Sequence, residues 1–213
     1  MEYLSDALHQ YISEHTTAAP PLMDQLERET WLKVVMPRML SGHVQGQFLK
    51  FISQLAKPKF LLEVGTFTGY ASHFLAEGLQ DGGEFHAVEI NEELQPIIEK
   101  YWAQHPRHSQ MHLHIGPAIE VLPKLTRPWD LVFLDADKAG LLDYYELLVP
   151  ALPRGGIMLI DNVLWSGKVA EPIAKNDRDT QAIDALNKHV ANDSRVEQVL
   201  LSIRDGILLV KKL

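Results

Sequence analysis

The chain has 213 residues, 46% apolar and 23% charged, with no cysteine, a globular composition that excludes a disulfide scaffold, a cysteine-ligated zinc site and thiol catalysis. Lys and Arg number 20 against 28 Asp and Glu, a net charge of −8, and the pI near 5.6 argues against a protein that works by bulk attraction to DNA or an anionic membrane. The acidic start Met-Glu-Tyr-Leu-Ser-Asp-Ala is not read as a signal peptide and no apolar run nears the roughly 20 residues of a bilayer span, so a soluble cytoplasmic protein is expected.

Residues 3–14 carry apolar side chains at 4, 7, 8, 11 and 12, a helical period. Ala18-Ala19-Pro20-Pro21 breaks it. A second helix is expected over 22–35, a turn at Ser41-Gly42, and a third helix over 46–55. These pieces are too short and mixed to fold alone, so residues 1–58 are read as a helical lid on a core at 59–213, together one domain. From Lys59 strands and helices alternate. Strands are expected at 60–64, 84–88, 111–115, 131–134, 157–160, 196–201 and 207–210, and helices at 70–79, 92–104, 118–125, 140–152 and 179–191. Such a βαβ series implies an α/β fold, with a mostly parallel seven-stranded sheet covered by helices on both faces. The turn signal Asp205-Gly206 makes the last strand antiparallel. The polar stretch 165–177 is too long for a plain connection and is a candidate functional loop.

Two constellations carry chemistry. The first strand runs through Glu63-Val64-Gly65-Thr66-Phe67-Thr68-Gly69-Tyr70 into a helix, and Glu89 ends the second strand. Glycines at such a turn let backbone approach a ligand, and a carboxylate at the second strand end can accept both hydroxyls of a ribose. Each feature alone is equally a turn or a helix cap; in register they point to a nucleoside-bearing cofactor. The second constellation is Asp135-Ala136-Asp137-Lys138 after the fourth strand and Asp161-Asn162 after the fifth. Neighbouring strands lie about 4.8 Å apart, so Asp135, Asp161 and Asn162 are expected to cluster. Two carboxylates and an amide oxygen suit Mg²⁺, Ca²⁺ or Mn²⁺. The plainer reading is a pair of caps and turns, but two adjacent carboxylates with only Lys138 beside them would repel unless a cation lay between. A lone lysine is usually solvated; beside a cation in a closed site Lys138 would be able to take a proton. Trp165 is either a loop anchor or an aromatic wall for a flat substrate. The ten histidines are read as structural or solvated, with His43 the one weighed as reaching the site. Neither a Gly-x-Ser-x-Gly elbow nor a Walker A sequence is present.

These residues resemble the cation-dependent O-methyltransferases, most closely the caffeoyl-coenzyme A O-methyltransferase branch and its bacterial members, and more distantly catechol O-methyltransferase. The resemblance runs from Met39-Leu40-Ser41-Gly42-His43-Val44-Gln45-Gly46-Gln47-Phe48-Leu49 through the segment at 63–70, Gly116-Pro117-Ala118 and Phe133-Leu134-Asp135-Ala136-Asp137-Lys138 to Asp161-Asn162-Val163-Leu164-Trp165-Ser166-Gly167. It implies the Rossmann-like fold of S-adenosylmethionine-dependent methyltransferases. By matched position Glu89 would hold the ribose hydroxyls, and Ala118 would meet the adenine. Ser41, Gly65, Thr66 and Asp137 would surround the methionine part, with Glu63, Gly69, Ser72 and Asp135 as further cofactor-binding residues. Asp135, Asp161 and Asn162 would bind a divalent cation, Mg²⁺ first, with Lys138, Asn162 and Trp165 at the acceptor and Lys138 and Asp135 catalytic. The family often has Ser directly after Gly-Tyr; here Ala71 stands there and Ser72 follows. The implied acceptor is a small molecule with a vicinal diol on an aromatic ring, and relatives of this kind tend to be homodimers. A tRNA hydroxyuridine methyltransferase is the nearest rival, disfavoured by the acidic charge and by the absence of a Lys/Arg cluster at 165–178. A nicotinamide-dependent oxidoreductase or a non-catalytic nucleotide-binding module lacks its Gly-x-Gly-x-x-Gly.

Overall fold

The computed structural model describes residues 5–213. Seven strands, β1 (Phe60–Val64), β2 (Glu84–Glu89), β3 (Met111–Ile115), β4 (Leu131–Leu134), β5 (Ile157–Asp161), β6 (Val196–Leu201) and β7 (Ile207–Lys212), form one sheet in the order β3-β2-β1-β4-β5-β7-β6. β1 to β5 pair in parallel, and β7 runs antiparallel to both β5 and β6. The central parallel strands β1, β4 and β5 are buried on both faces because helices cover both. Leu61, Leu131 and Leu159 enter one buried cluster, and Leu62, Val132 and Ile160 enter the other. Each fully buried side chain of this kind contributes about 1.5–3 kcal/mol.

Around the sheet lie α1 (Asp6–Glu14), α2 (Pro21–Lys33), α3 (Gly42–Ala56), α4 (Tyr70–Leu75), α5 (Gln95–Trp102), α6 (Ala118–Val121), α7 (Leu141–Leu148) and α8 (Arg178–Ala191). Met23 and Leu26 of α2 and Leu49 of α3 are buried in the same cluster as Phe74 of α4 and Ile98 of α5. The first helix, expected over 3–14, begins at Asp6 with Ser5 as its cap; Tyr3 and Leu4 lie outside the described residues. The third begins at Gly42 rather than Gly46, and the expected turn coincides with its first residue, where Gly42 has φ +74°. No helix among the described residues is long and apolar enough to cross a membrane.

Helix ends differ from the periodicity at proline. The span 92–104 divides into a 3₁₀ turn, Glu92–Leu94, and α5 with Pro96 in its first turn. The spans 118–125 and 140–152 each finish in a 3₁₀ turn carrying Pro123 or Pro150. Proline lacks the N–H an α-helix interior needs but is tolerated in a first turn, so an apolar period that runs across it is no longer one helix. The span 70–79 tightens at Gly78 for a different reason. A Cβ on Gly78 would lie 2.1 Å from the Ser53 carbonyl carbon, so α3 and the end of α4 touch backbone to backbone.

Candidate active site

A cavity of about 1000 Å³ opens at the carboxyl ends of β1, β2, β4 and β5, where open α/β sheets bind ligands. Gly65, Glu89, Ala118, Asp135, Asp137, Lys138, Asp161, Asn162 and Trp165 all line it. Six of the seven non-glycine residues with positive φ among the described residues, Met36, Phe67, Asn162, Trp165, Ser166 and Arg204, line it too; only Lys57 does not. Backbone strain held by surrounding structure is thus concentrated here.

On the β1–β2 side, Gly65 has φ +91°, and a Cβ there would lie 1.9 Å from the Asp135 carbonyl oxygen. The glycine is required both by its dihedral and by the passage of β4 behind it. Glu89, 6% exposed, accepts the Phe67 N–H on Oε2 at 2.7 Å and the Asn91 N–H on Oε1 at 2.8 Å. Each oxygen keeps a second lone pair for the cavity.

Ser41, Glu63, Thr66, Gly69 and Ser72 are absent from the cavity wall. Ser41 immediately precedes α3 as its N-cap residue, and its carbonyl accepts from Arg204. The Thr66 hydroxyl turns back to the Val88 carbonyl. Gly69, at φ +81°, packs on the Trp102 indole. The Ser72 hydroxyl donates to Glu63 Oε2, so the side chain two positions after the Gly-Tyr pair is spent on Glu63 rather than presented to the cavity. Glu63 is fully buried, and its Oε1 has no hydrogen-bond partner.

Burial pushes the Glu63 carboxyl up to about 8, with the nearby Asp135 and Glu89 charges adding to the effect. A carboxyl raised in this way holds its proton more tightly folded than unfolded. Its contribution to stability is therefore full below the ordinary value of 4.5 and is lost as pH rises toward 8. Glu63→Gln should flatten that fall. Between pH 5 and 8, unfolding in urea should show wild-type stability dropping by up to about 1.4 kcal/mol per pH unit more than the variant. Parallel profiles would mean that Glu63 is ionised in the fold.

The oxygen cluster sits on the β4–β5 side. Asp161, at the end of β5, is 3% exposed. Its Oδ1 accepts the Asn162 N–H at 2.7 Å and its Oδ2 accepts Gln45 Nε2 at 2.6 Å. Burial, reinforced by the Asp135 charge, raises its proton affinity. Lys138 Nζ lies 3.3 Å from Asp135 Oδ1, 2.9 Å from Asn162 Oδ1 and 5.7 Å from the centre of the Trp165 ring. Asp137 accepts the Tyr144 hydroxyl at 2.7 Å and the Gly140 N–H at 2.9 Å. The stretch after β5 is more ordered than a plain loop. Asp205 at the β6–β7 turn accepts the Ser166 N–H, the Leu164 N–H reaches the Asp205 carbonyl at 2.9 Å, and 3₁₀ turns run over Trp165–Ala170.

His43 does not reach the site: its Nε2 lies 3.2 Å from the Ser13 carbonyl, and the histidine on the cavity wall is His9. Gln45, Tyr144, Arg204 and Asp205 are further site residues to which the sequence assigned no role. Gln45 lay inside a recognised motif and Asp205 inside a turn signal, but Arg204 and His9 carried no local signal. A separate grouping of donors, Glu146, His189 and Asp193, lies away from the cavity, and Arg195 already pairs with both of its carboxylates.

The model of the O-methyltransferase family matches residues 13–213. The chain is 34% identical to the caffeoyl-CoA O-methyltransferase of Petroselinum crispum, over 98% of this chain and 92% of that protein. It is also 34% identical to caffeoyl-CoA O-methyltransferase 1 of Nicotiana tabacum, with the same coverage. An SAH-bound methyltransferase from Podospora anserina superposes with a TM-score of 0.88 at 24% identity, over 98% of this chain and 94% of that one. The fold is that of the S-adenosylmethionine-dependent methyltransferases. The chain belongs to the O-methyltransferase family.

Proposed function

We propose that this enzyme moves a methyl group from S-adenosylmethionine to one hydroxyl of a catechol-type small molecule, with a divalent cation, Mg²⁺ first, held by Asp135, Asp161 and Asn162. One observation carries the reading. Three hard oxygen donors from adjacent strand ends meet at a cavity, and a positive charge, the Lys138 ammonium, already bridges two of them. That donor set fits a magnesium-class ion. The relatives named for caffeoyl-CoA support an acceptor whose ring bears adjacent hydroxyls.

The residues on the β1–β2 side fit the donor. The free lone pairs of Glu89 suit two ribose hydroxyls, and Gly65 leaves room for close approach. The bound donor would supply a methyl group on a positively charged sulfur. A cation held by Asp135, Asp161 and Asn162 would supply Lewis-acid stabilisation to an ionised acceptor oxygen. Lys138, proposed beside the acceptor oxygen, would receive the departing proton if its Nζ is neutral or, as an ammonium, would stabilise the oxygen that the proton leaves. Trp165 walls the cavity beside Lys138 and aligns a flat ring. Alignment by the chain is the main term, worth up to roughly 7–11 kcal/mol in well-oriented reactions.

A methyl-transfer screen over catechols, caffeoyl esters and flavonoids tests this, each with Mg²⁺ and with excess chelator. Transfer confined to vicinal diols and dependent on the cation is expected. Equal rates in chelator would remove the cation from the mechanism, and equal rates on monohydroxy analogues would remove the diol. The exposed Trp31 and Leu32 of α2, with Phe51 and Leu55 of α3, support a homodimer. Sedimentation at twice 24.1 kDa is expected, and a monomer at micromolar concentration would refute it.

A further inference from the structure

A glutamine from the N-terminal helices reaches the proposed cation site. Gln45 lies on α3, is 1% exposed, and stands 116 positions before Asp161. Its Nε2 donates to Asp161 Oδ2 at 2.6 Å, and its Oε1 accepts Arg204 Nη1 at 3.1 Å. The same guanidinium nitrogen donates to the Leu40 carbonyl at 2.9 Å and to the Ser41 carbonyl. Arg204 itself sits in the β6–β7 turn with φ +49° and lines the cavity.

The chemistry of these groups gives the chain a direction. An arginine side chain has donors and no acceptor. It can therefore meet only the oxygen end of the glutamine amide, which turns the NH₂ end toward Asp161. The NH₂ end in turn needs an acceptor, which a carboxylate oxygen provides. The other Asp161 oxygen is held by the Asn162 N–H at 2.7 Å. Both oxygens are thus pinned, one by the strand's own next residue and one from a different element. Each retains a lone pair. A carboxylate held in this way cannot swing to follow a ligand.

Resting on the cation reading above, we propose that Gln45 is a positioning residue that sets the angle of the Asp161 carboxylate, and that Arg204 orients Gln45. The relay also joins three parts of the acceptor end of the cavity: the start of α3, the β6–β7 turn and the end of β5. A change in the Arg204 wall is thereby felt at the cation ligands.

The test is Mn²⁺ binding by calorimetry to the wild type, Gln45→Met, Arg204→Met and the double variant. S-adenosylhomocysteine affinity and thermal unfolding serve as controls. Gln45→Met should weaken Mn²⁺ by about 10- to 100-fold, the usual cost of removing a group that orients a metal ligand. In Gln45→Met S-adenosylhomocysteine affinity should stay within about twofold of wild type, because the Gln45 side chain bonds to Asp161 and Arg204 and to none of the residues proposed to hold the donor, a split that general destabilisation would not produce. Arg204→Met should weaken Mn²⁺ as well. The double variant should bind no more weakly than Gln45→Met, since Arg204 acts through Gln45. Unchanged Mn²⁺ affinity in Gln45→Met, or an Arg204 effect that persists in full beside it, would overturn the relay alone. Wild-type protein that takes up no Mn²⁺ would overturn the cation reading and this inference with it. Should Gln45→Met not fold, Gln45→Glu carries the same comparison at equal size. There a second acidic oxygen faces Asp161, so wild-type affinity would again overturn the relay.

Discussion

Asp161→Ala should lower methyl transfer by at least about 1000-fold, a loss of roughly 4 kcal/mol in the transition state, while S-adenosylhomocysteine binds within about twofold of wild type. The size of the effect follows from the position of the side chain. Asp161 is the buried member of the oxygen cluster, with both oxygens held at 2.6–2.7 Å by Gln45 and the Asn162 N–H. Nothing else on β5 can replace it as an anionic ligand. Stability should move the other way or not at all. Removing a buried carboxyl that the Asp135 charge already opposes relieves repulsion, and this offsets the unpaired Gln45 amide. Unfolding in urea then separates lost chemistry from a lost fold. Asp161→Asn is the companion: it keeps the volume and an acceptor for Gln45 but not the charge, and it should be almost as inactive. Methyl transfer to a catechol with Mg²⁺, at saturating donor, is the measurement. A rate near wild type in either variant would mean that the cation is held elsewhere or not used.

Gly65→Ala should cost at least about 3 kcal/mol of stability, since it joins two penalties that usually occur apart. One is the backbone: φ is +91°, where a residue with a Cβ is strained. The other is space. The new carbon would lie 1.9 Å from the Asp135 carbonyl oxygen and 2.7 Å from its carbon, and both belong to backbone that cannot rotate away. β1 and β4 would have to part at the point where the Asp135 N–H reaches the Val64 carbonyl at 2.8 Å. Gly155→Ala isolates the first penalty, because Gly155 has φ +84° and nothing within 4 Å of an added carbon. It should cost only about 1–2 kcal/mol. Urea midpoints of the two variants make the comparison. Equal losses would mean that the approach of Asp135 to Gly65 contributes nothing.

The strands were legible because their pattern is insensitive to context. Runs such as Leu131–Leu134 have no polar face, so only a position between two helical layers satisfies them. β1, β3, β4 and β6 begin and end at the residues expected. Helix ends were less legible. An apolar period continues across Pro96, Pro123 and Pro150, whereas the hydrogen-bond ladder does not. The tightening at Gly78 depends on Ser53, 25 residues earlier, and left no trace in its own segment.

The gathering of Asp135, Asp161 and Asn162 at one cavity was legible for a topological reason. Each follows an apolar run, and neighbouring parallel strands end at the same edge. What surrounds them was not. Gln45 meets Asp161 across 116 positions and Arg204 across 159. Ser72, expected at the cofactor, turns its hydroxyl to Glu63 because α4 packs over the strand beneath it.

The linear order of residues, taken alone, determined the α/β architecture, the antiparallel last strand and the grouping of oxygen donors at one sheet edge. These follow from periodicity and chain connectivity, which are local properties. Only the tertiary structure decided which side of each amide and hydroxyl faces the donors, which histidine reaches the cavity, and that the left-handed backbone at Asn162, Trp165 and Ser166 is held in place. Those outcomes depend on side chains that meet through packing, and the physical reason is distance along the chain: no segment contains the partner that fixes it.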